Sequence, residues 1–244
     1  MIIGTLILNP TKDSIISLAK GKFDFLLLDF QHSAFTWETA DFVIETIYKY
    51  TNKKIWIRVA SNNFSDINRA YDIGADSVVV PLIDTINDLK NCIDAARYKP
   101  IGNRSWGPVR LRDNYNSYED YFKNASSKQL LFPQIESLNG LNNLPDMCTY
   151  EGWDGVMIGP SDLAISMGEI PNFPPKSKLV KDKMEEIISI CKNNNKIPGL
   201  FAGSLDVAKE FVSKGAECFT YGSDLEFLDE GTKISFENLY NSMK

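Results

Sequence analysis

Residues 25–32 read FLLLDFQH, a run of four apolar side chains that is followed by mostly polar ones. A strand that is apolar without alternation is typical of a parallel sheet whose two faces are both covered. Residues 77–81 read SVVVP and have the same character. Helix-like segments separate these runs, so strands and helices alternate along the chain. This order favours a parallel α/β sheet.

Segments of strand length recur through the 244 residues. The predicted strands span residues 2–8, 25–29, 55–59, 77–81, 130–135, 155–158, 197–201 and 218–221. The predicted helices between them include residues 37–50, 64–73, 86–97, 178–193 and 205–214. Gly74 and Gly215 follow two of these helices and suit left-handed C-caps. The pattern predicts a closed (β/α)8 TIM barrel, and the lack of G-x-G-x-x-G after the first strand disfavours an open doubly wound sheet.

The chain shows no internal repeat, low-complexity tract or linker, so we expect residues 1–244 to form one domain. Residues 100–127 break the rhythm of strands and helices, because they are polar and lack core periodicity before residue 118. A loop of that length is often functional.

The formal net charge is -6, which argues against nucleic acid as a partner, because proteins that bind it usually have a basic face. The nearest approach to such a face is the cluster of Arg104, Arg110 and Arg112. That cluster either meets a small anion or belongs to a solvated loop.

The four cysteines lack the C-x-x-C spacing of a zinc site or redox pair, which indicates free thiols in a reducing compartment. The first eight residues are too short an apolar run to span a bilayer and do not have the features of a secretory signal. We therefore expect no membrane association and a cytoplasmic location.

Polar side chains follow several predicted strands directly. They are Asp29, His32, Arg58, Gln134, Glu136, Ser161 and Asp162. In barrels of this kind the active site lies at the carboxyl ends of the strands, so these residues are the candidates for function.

His32 is the only histidine, so a proton-transfer step that needs an imidazole near neutral pH must use it. The alternative is an ordinary hydrogen-bonded histidine. Asp29, three residues earlier, could hold its ring in one tautomer. Arg58 ends an apolar strand and needs an anion, either a protein carboxylate or a carboxylate or enolate oxygen of a substrate.

Glu136 and Asp162 are carboxylates at the ends of neighbouring predicted strands. Two such groups, with water, could hold Mg²⁺ or Mn²⁺ and leave positions open for a substrate. Alternatively they pair with arginine or cap helices, and Asp162 in particular could be an N-cap.

Several segments carry a family resemblance. FDFLLLDFQH at residues 23–32 resembles F-D-x-x-x-x-D-x-E-H, and ARYKPIGNR at residues 96–104 contains R-Y-x-P-x-G-x-R. DIGA at residues 72–75, QIES at residues 134–137 and DGVMIGPSDL at residues 154–163 complete the pattern. The chain thus resembles the HpcH/HpaI family of class II pyruvate aldolases, which are (β/α)8 barrels.

The resemblance implies that Glu136 and Asp162 hold a divalent cation, most commonly Mg²⁺ or Mn²⁺, with Co²⁺ possible. The cation would chelate a 2-oxo acid such as pyruvate and stabilise its enolate. Arg58 would steady the developing oxyanion, and Gln134 would lie near the metal and substrate. The backbone N–H groups of Ser161 and Asp162 would bind the substrate carboxylate.

The resemblance also implies that His32, oriented by Asp29, transfers the proton at the hydroxyl that becomes the aldehyde. The implied activity is cleavage or formation of 4-hydroxy-2-oxo acids, with pyruvate or a related 2-oxo acid and an aldehyde as the partners. Gln31 stands where many members have glutamate. One alternative is a citrate-lyase-like enzyme that cleaves a carbon–carbon bond in an acyl-CoA thioester. Another is a barrel without catalytic activity that binds an oxo acid or serves in an assembly.

The loop after Arg104 is bulkier and more basic than is usual in the family. Arg110 and Arg112 either select an acidic or phosphorylated acceptor or contact a partner subunit. Members of the family form trimer-based hexamers with exchanged C-terminal helices, which implies a homo-oligomer, trimer or hexamer, with residues 227–243 as such a helix.

Overall fold

The computed structural model describes residues 1–108 and 116–244. The described strands form one closed parallel barrel in sequential order, each paired with the next and β8 paired with β1. They are β1 (Ile2–Ile7), β2 (Phe25–Asp29), β3 (Lys54–Arg58), β4 (Ser77–Val80), β5 (Leu130–Ile135), β6 (Gly155–Ile158), β7 (Ile197–Phe201) and β8 (Cys218–Ser223). The predicted (β/α)8 barrel is therefore confirmed, and all eight predicted strands are present to within two residues at each end.

Helices connect the strands on the outside of the barrel. The described ones are α1 (Lys12–Lys20), α2 (Trp37–Tyr50), α3 (Phe64–Asp72), α4 (Ile86–Ala96), α5 (Tyr118–Lys128), α6 (Leu138–Met147), α7 (Pro160–Ser166), α8 (Lys178–Asn193), α9 (Leu205–Ser213) and α10 (Asp224–Ser242). The five predicted helices are confirmed. Gly74 and Gly215 have φ values of 111° and 103°, as expected for glycines that end helices.

Side-chain oxygens at the N-caps explain where most helices begin. The capping residues that accept a hydrogen bond from a backbone N–H group are Thr11, Thr36, Asn63, Thr85, Ser117, Ser137, Ser204 and Ser223. Each satisfies a backbone donor that the helix itself leaves free. The short helix α7 differs, because its N-cap is Gly159 and its first residue is Pro160. Asp162 is the third residue of that helix, so the alternative of Asp162 as an N-cap is wrong.

The inside of the barrel is filled by large side chains that alternate with outward-facing ones. The ring of Phe25 stacks on Trp56 with the ring centroids 4.0 Å apart. Gly4 makes room for this stack, because a Cβ atom at that position would lie 2.2 Å from the Phe25 ring. On the outer side, Leu26 and Leu28 belong to the core between strands and helices. Alternation therefore assigns each strand residue to one of two cores.

A buried polar cluster lies at the amino end of the barrel. The Arg104 guanidinium is buried and donates to Asp72 Oδ1 at 2.9 Å, to Gln129 Oε1 at 2.7 Å and to Tyr121 Oη at 2.7 Å. Gln129 precedes the first residue of β5, which places the cluster away from the carboxyl ends of the strands. The expectation of a small-anion site or a solvated loop is thus wrong for Arg104, because a protein carboxylate already neutralises it.

The rest of the long polar segment is described only in part. Arg110 and Arg112 lie outside the described residues. Trp106 and Tyr118, which flank the undescribed stretch, are in ring contact with centroids 5.9 Å apart. Trp106 also contacts Tyr98, whose ring lies 4.8 Å from the Arg104 guanidinium carbon. The described part of this segment therefore packs around the Arg104 cluster.

We expect Asp72→Ala to lower the free energy of unfolding by about 3 kcal/mol, because it leaves the buried Arg104 guanidinium without its carboxylate. Urea denaturation would measure the change. Asp229→Ala removes an equivalent carboxylate from the exposed pair with Lys233 and should change stability little. Equal effects of the two substitutions would contradict this assignment.

Candidate active site

A cavity of about 330 Å³ opens at the carboxyl ends of the strands. Five of the seven site residues predicted from the sequence line it, namely His32, Arg58, Gln134, Ser161 and Asp162. The other two, Asp29 and Glu136, are buried directly beside these residues, with 1% and 2% of their surface exposed. The structure therefore brings the predicted residues together in one place.

The inward alternation of the strands explains this convergence. On β2 the inward residues Phe25 and Leu27 are followed two positions later by Asp29, and on β3 Trp56 is followed by Arg58. Asp29 and Arg58 are also register partners in the sheet. Residues at the end of an inward row thus reach the mouth of the barrel with their side chains pointing towards its axis.

Asp29 and Arg58 form a buried, two-pronged ion pair. Arg58 Nε donates to Asp29 Oδ1 at 2.8 Å, and Arg58 Nη2 donates to Asp29 Oδ2 at 2.5 Å. The guanidinium carbon lies 4.7 Å from the centre of the Phe201 ring, so the arginine is held from two sides. The sequence allowed either a protein carboxylate or a substrate oxygen as the partner of Arg58, and the structure contains the protein carboxylate.

The structure differs from the expectation that Asp29 holds the His32 ring. Asp29 Oδ1 accepts the backbone N–H groups of Gln31 at 3.0 Å and His32 at 3.4 Å, which fixes the turn after β2. Its two oxygens otherwise bind Arg58. Within residues 1–108 and 116–244 the His32 ring has no recorded hydrogen bond, and it lines the cavity.

Glu136, the residue after β5, is held by one donor from β5 itself and by one from the loop after β4. Gln134 Nε2 donates to Glu136 Oε2, and the backbone N–H of Leu82 donates to Glu136 Oε1 at 2.8 Å. Leu82 has a φ of 57°, a left-handed conformation that is uncommon for leucine, and its side chain is 58% exposed. The conformation of the loop after β4 therefore presents a backbone donor to this carboxylate.

The carboxylates of Glu136 and Asp162 lie close enough for their charges to interact, and no described lysine or arginine forms an ion pair with either of them. Burial raises the pKa of the Glu136 carboxyl, and the charge of Asp162 raises it further, while the hydrogen bonds from Gln134 and Leu82 and the charge of Arg58 lower it. The net direction of the Glu136 pKa is upward, because burial outweighs the hydrogen bonds and the charge of Arg58.

These properties fit a divalent cation. Two carboxylates that repel one another, one of them deeply buried, are stabilised when a cation lies between them, and hard cations prefer oxygen ligands. The carbonyl oxygen Oε1 of Gln134 is buried and has no hydrogen-bond partner among the described residues. In the described part of the chain no group of three or more His, Cys, Asp or Glu side chains could hold a metal. A cation here would therefore take few protein ligands and keep positions open.

Some cavity residues were not predicted from the sequence. Thr220 lies two positions after the inward Cys218 on β8, so alternation alone could have found it. Leu225 and Glu226 lie in the first turn of α10, shortly after β8. Phe173 comes from the loop after α7, where the sequence carries no periodic signal, and its ring packs on the bare backbone of Gly203.

The fold and the cavity together define a (β/α)8-barrel enzyme with its site at the carboxyl end of the barrel. The sequence matches the family described as HpcH/HpaI aldolase/citrate lyase over residues 7–230. The chain belongs to this family, which confirms the predicted family and enzyme class, a carbon–carbon lyase.

Known proteins agree with this membership. A 4-hydroxy-2-oxo-heptane-1,7-dioate aldolase of Shigella boydii is 30% identical over 212 residues, which are 86% of this chain and 80% of that protein. A solved structure of an HpcH/HpaI aldolase/citrate lyase family protein from Burkholderia cenocepacia has a TM-score of 0.89 at 21% identity, covering 98% of this chain and 94% of the other. A solved citrate synthase has a TM-score of 0.86 at 21% identity, covering 99% and 94%.

We expect Gly159→Ala to destabilise the protein by about 1–3 kcal/mol through overpacking. A Cβ atom there would lie 2.4 Å from Glu136 Oε2 and 2.9 Å from Glu136 Cβ, so the carboxylate must move. Gly231→Ala is the control, because a Cβ atom on that helical glycine meets nothing within 4 Å and should stabilise by about 1 kcal/mol. Chemical denaturation measures both, and a neutral Gly159→Ala would contradict the close contact.

Proposed function

We propose that this chain is a metal-dependent aldolase that cleaves or forms 4-hydroxy-2-oxo acids, with pyruvate or a related 2-oxo acid and an aldehyde as the other side of the reaction. The observation that carries the proposal is the proximity of two undercompensated carboxylates, Glu136 and Asp162, to a buried arginine at the mouth of the barrel. The aldolase name of the 30% identical relatives supports the same reaction class.

Glu136 and Asp162 would hold the cation, with Mg²⁺ or Mn²⁺ as our first choice and Co²⁺ as a further candidate. A bound divalent cation supplies Lewis-acid stabilisation of the negative charge that develops on an oxo-acid oxygen. The hydrogen bonds from Gln134 and from the Leu82 backbone would keep the Glu136 carboxylate oriented. The free carbonyl oxygen of Gln134 would then face the cation or a water beside it.

Arg58 would bind the oxo-acid oxygen on which negative charge grows. Asp29 uses Nε and one N–H of Nη2, so Nη1 and the second N–H of Nη2 remain for the substrate. Asp29 therefore positions the arginine instead of the histidine. A fixed guanidinium that needs no reorientation during the reaction is an effective stabiliser of an oxyanion.

Ser161 and Asp162 would provide backbone N–H groups for the substrate carboxylate. Both lie in the first turn of α7, where backbone donors have no acceptor within the helix, and both line the cavity. Pro160, the first helical residue, has no N–H group, so these two are the first donors available.

His32 would transfer the proton at the aldehyde end. In cleavage, a base removes the proton of the C4 hydroxyl, the electrons of the C3–C4 bond pass to the oxo-acid fragment, the aldehyde carbonyl forms, and C3 then takes up a proton. In synthesis, C3 first loses a proton and attacks the aldehyde carbon, and the aldehyde oxygen takes up a proton. No electrons are gained or lost overall. The position of His32 supports this role, because its ring lines the cavity and binds no other described group.

We expect the protein to exchange the methyl protons of pyruvate in deuterated water only when Mg²⁺ or Mn²⁺ is present. Glu136→Gln and Asp162→Asn should slow the exchange by about 100-fold or more, since several kcal/mol of charge stabilisation are removed. NMR of the methyl signal measures the rate. Titration with Mn²⁺, followed by electron paramagnetic resonance of the free ion, should show weaker binding to both variants.

Glu45→Gln is the control, because this glutamate is exposed on α2 away from the cavity. Full-rate exchange by Glu136→Gln would contradict the proposal. Release of coenzyme A from an acyl-CoA thioester, detected with a thiol reagent, would favour the citrate-lyase-like alternative. Absence of exchange and of thioester cleavage in the presence of either metal would favour a barrel without catalytic activity.

We also infer a homo-oligomer, trimer or hexamer, in which α10 contacts another subunit. This helix follows β8 but leaves most of its surface exposed, including Phe236 at 66% and Leu239 at 59%. An apolar groove lies over β1, β8 and α9, lined by residues that include Met1, Ile3 and Val212. An exposed apolar helix and an open apolar groove are complementary features of an assembly.

The double variant Phe236→Glu with Leu239→Glu should lower the mass in solution towards that of one chain, because charges replace apolar contacts. Light scattering after size-exclusion chromatography measures the mass. Asn238→Glu with Asn241→Glu adds the same charge to polar positions of α10 and should leave the assembly intact. A wild-type protein that behaves as a single chain would refute the inference.

We further propose that the chain forms one domain, since one closed sheet takes strands from residue 2 to residue 223. Within residues 1–108 and 116–244 no helix is both long and apolar enough to cross a bilayer. The four free cysteines, three of them buried, support our proposal of a cytoplasmic, reducing compartment.

A further inference from the structure

The cavity has two unlike sides. One side carries the polar residues described above. The other is built from β1 and β8, the loop after α7 and the start of α10, and it presents mainly apolar side chains, namely Leu6, Leu8, Phe173 and Leu225, beside the hydroxyl groups of Thr220 and Ser223. Phe201 on β7 lies against the Arg58 guanidinium, between the two sides. If the oxo acid occupies the polar side, the aldehyde and its substituent must meet this apolar side.

Positive charge is scarce in the cavity. Among the described residues that line it, Arg58 is the only lysine or arginine. Asp29 already neutralises that guanidinium. The N–H groups of Arg58 that remain would be used by the oxo acid. A carboxylate on the aldehyde would therefore lose water without gaining a cationic partner from these residues, which is unfavourable.

Glu226 adds negative charge at the rim. Its backbone N–H donates to Ser223 Oγ at 3.2 Å, and its carboxylate accepts from the same hydroxyl at 3.2 Å, so the cap of α10 holds the side chain at the cavity. The carboxylate is exposed, so water screens its field, but it still repels an anion that enters the same opening.

We propose that Glu226 and the apolar side of the cavity select an aldehyde with an uncharged, apolar substituent and discriminate against one that carries a carboxylate. This inference rests on the proposed aldolase function. The relatives are named for a heptane-1,7-dioate, whose cleavage between C3 and C4 leaves an aldehyde with a second carboxylate. The described cavity offers no free cation for such a group.

Two four-carbon aldehydes test this directly, because butanal ends in a methyl group where 4-oxobutanoate ends in a carboxylate. Pyruvate consumption with each aldehyde gives kcat/KM. The wild-type protein should prefer butanal by about tenfold, and Glu226→Gln should lower that ratio by about threefold, as expected for removal of one screened charge near the substrate. Glu226→Lys should lower the ratio further.

Glu45→Gln, with the same charge change away from the cavity, should leave the ratio unchanged. A wild-type preference for 4-oxobutanoate, or a ratio that Glu226→Gln and Glu226→Lys do not change, would overturn the proposal. The methyl exchange of pyruvate, measured without aldehyde, distinguishes failure of the aldehyde selectivity from failure of the aldolase function. Exchange with the opposite aldehyde preference refutes only the selectivity, whereas loss of metal-dependent exchange refutes the aldolase function together with it.

Discussion

Every second side chain of a barrel strand points inward, and the last inward positions of all the strands surround one opening. This geometric constraint governs both the core and the site. The alternation that buries Phe25 and Trp56 brings Asp29 and Arg58, two positions later, to the mouth of the barrel. The apolar packing below is therefore what aligns the charged residues above, and a change of strand register would lose both at once.

Two pairs of charged residues at this opening differ in whether their charges are neutralised. Asp29 and Arg58 neutralise one another, and their two hydrogen bonds leave little freedom to either side chain. Glu136 and Asp162 have no comparable partner among the described residues, and burial, together with the charge of Asp162, raises the pKa of Glu136. A buried excess of negative charge has a free-energy cost, which a bound cation would offset.

The sequence was sufficient for the elements that depend on local pattern. The apolar runs predicted all eight strands. The position of polar residues directly after these runs identified the side chains that lie at the cavity. Pairings across the sheet were less accessible. The partner of Arg58 depends on register, which no local pattern encodes, and Arg104 looked like a surface residue because its burial depends on Tyr98, Tyr121 and Gln129. Phe173 reaches the cavity from a loop without periodicity.

The backbone conformation of Leu82 affects Glu136, which lies outside the loop that contains Leu82. Its left-handed backbone costs about 1–2 kcal/mol relative to an ordinary conformation, and its exposed side chain recovers little of this by packing. The next residue, Ile83, donates its N–H to the Gln134 carbonyl at 3.3 Å, so the turn is anchored to β5 at two points. The protein thus meets part of the cost of orienting Glu136 while it folds. A ligand that binds to the Glu136 carboxylate would therefore meet a side chain that is already oriented, and less conformational entropy would be lost on binding.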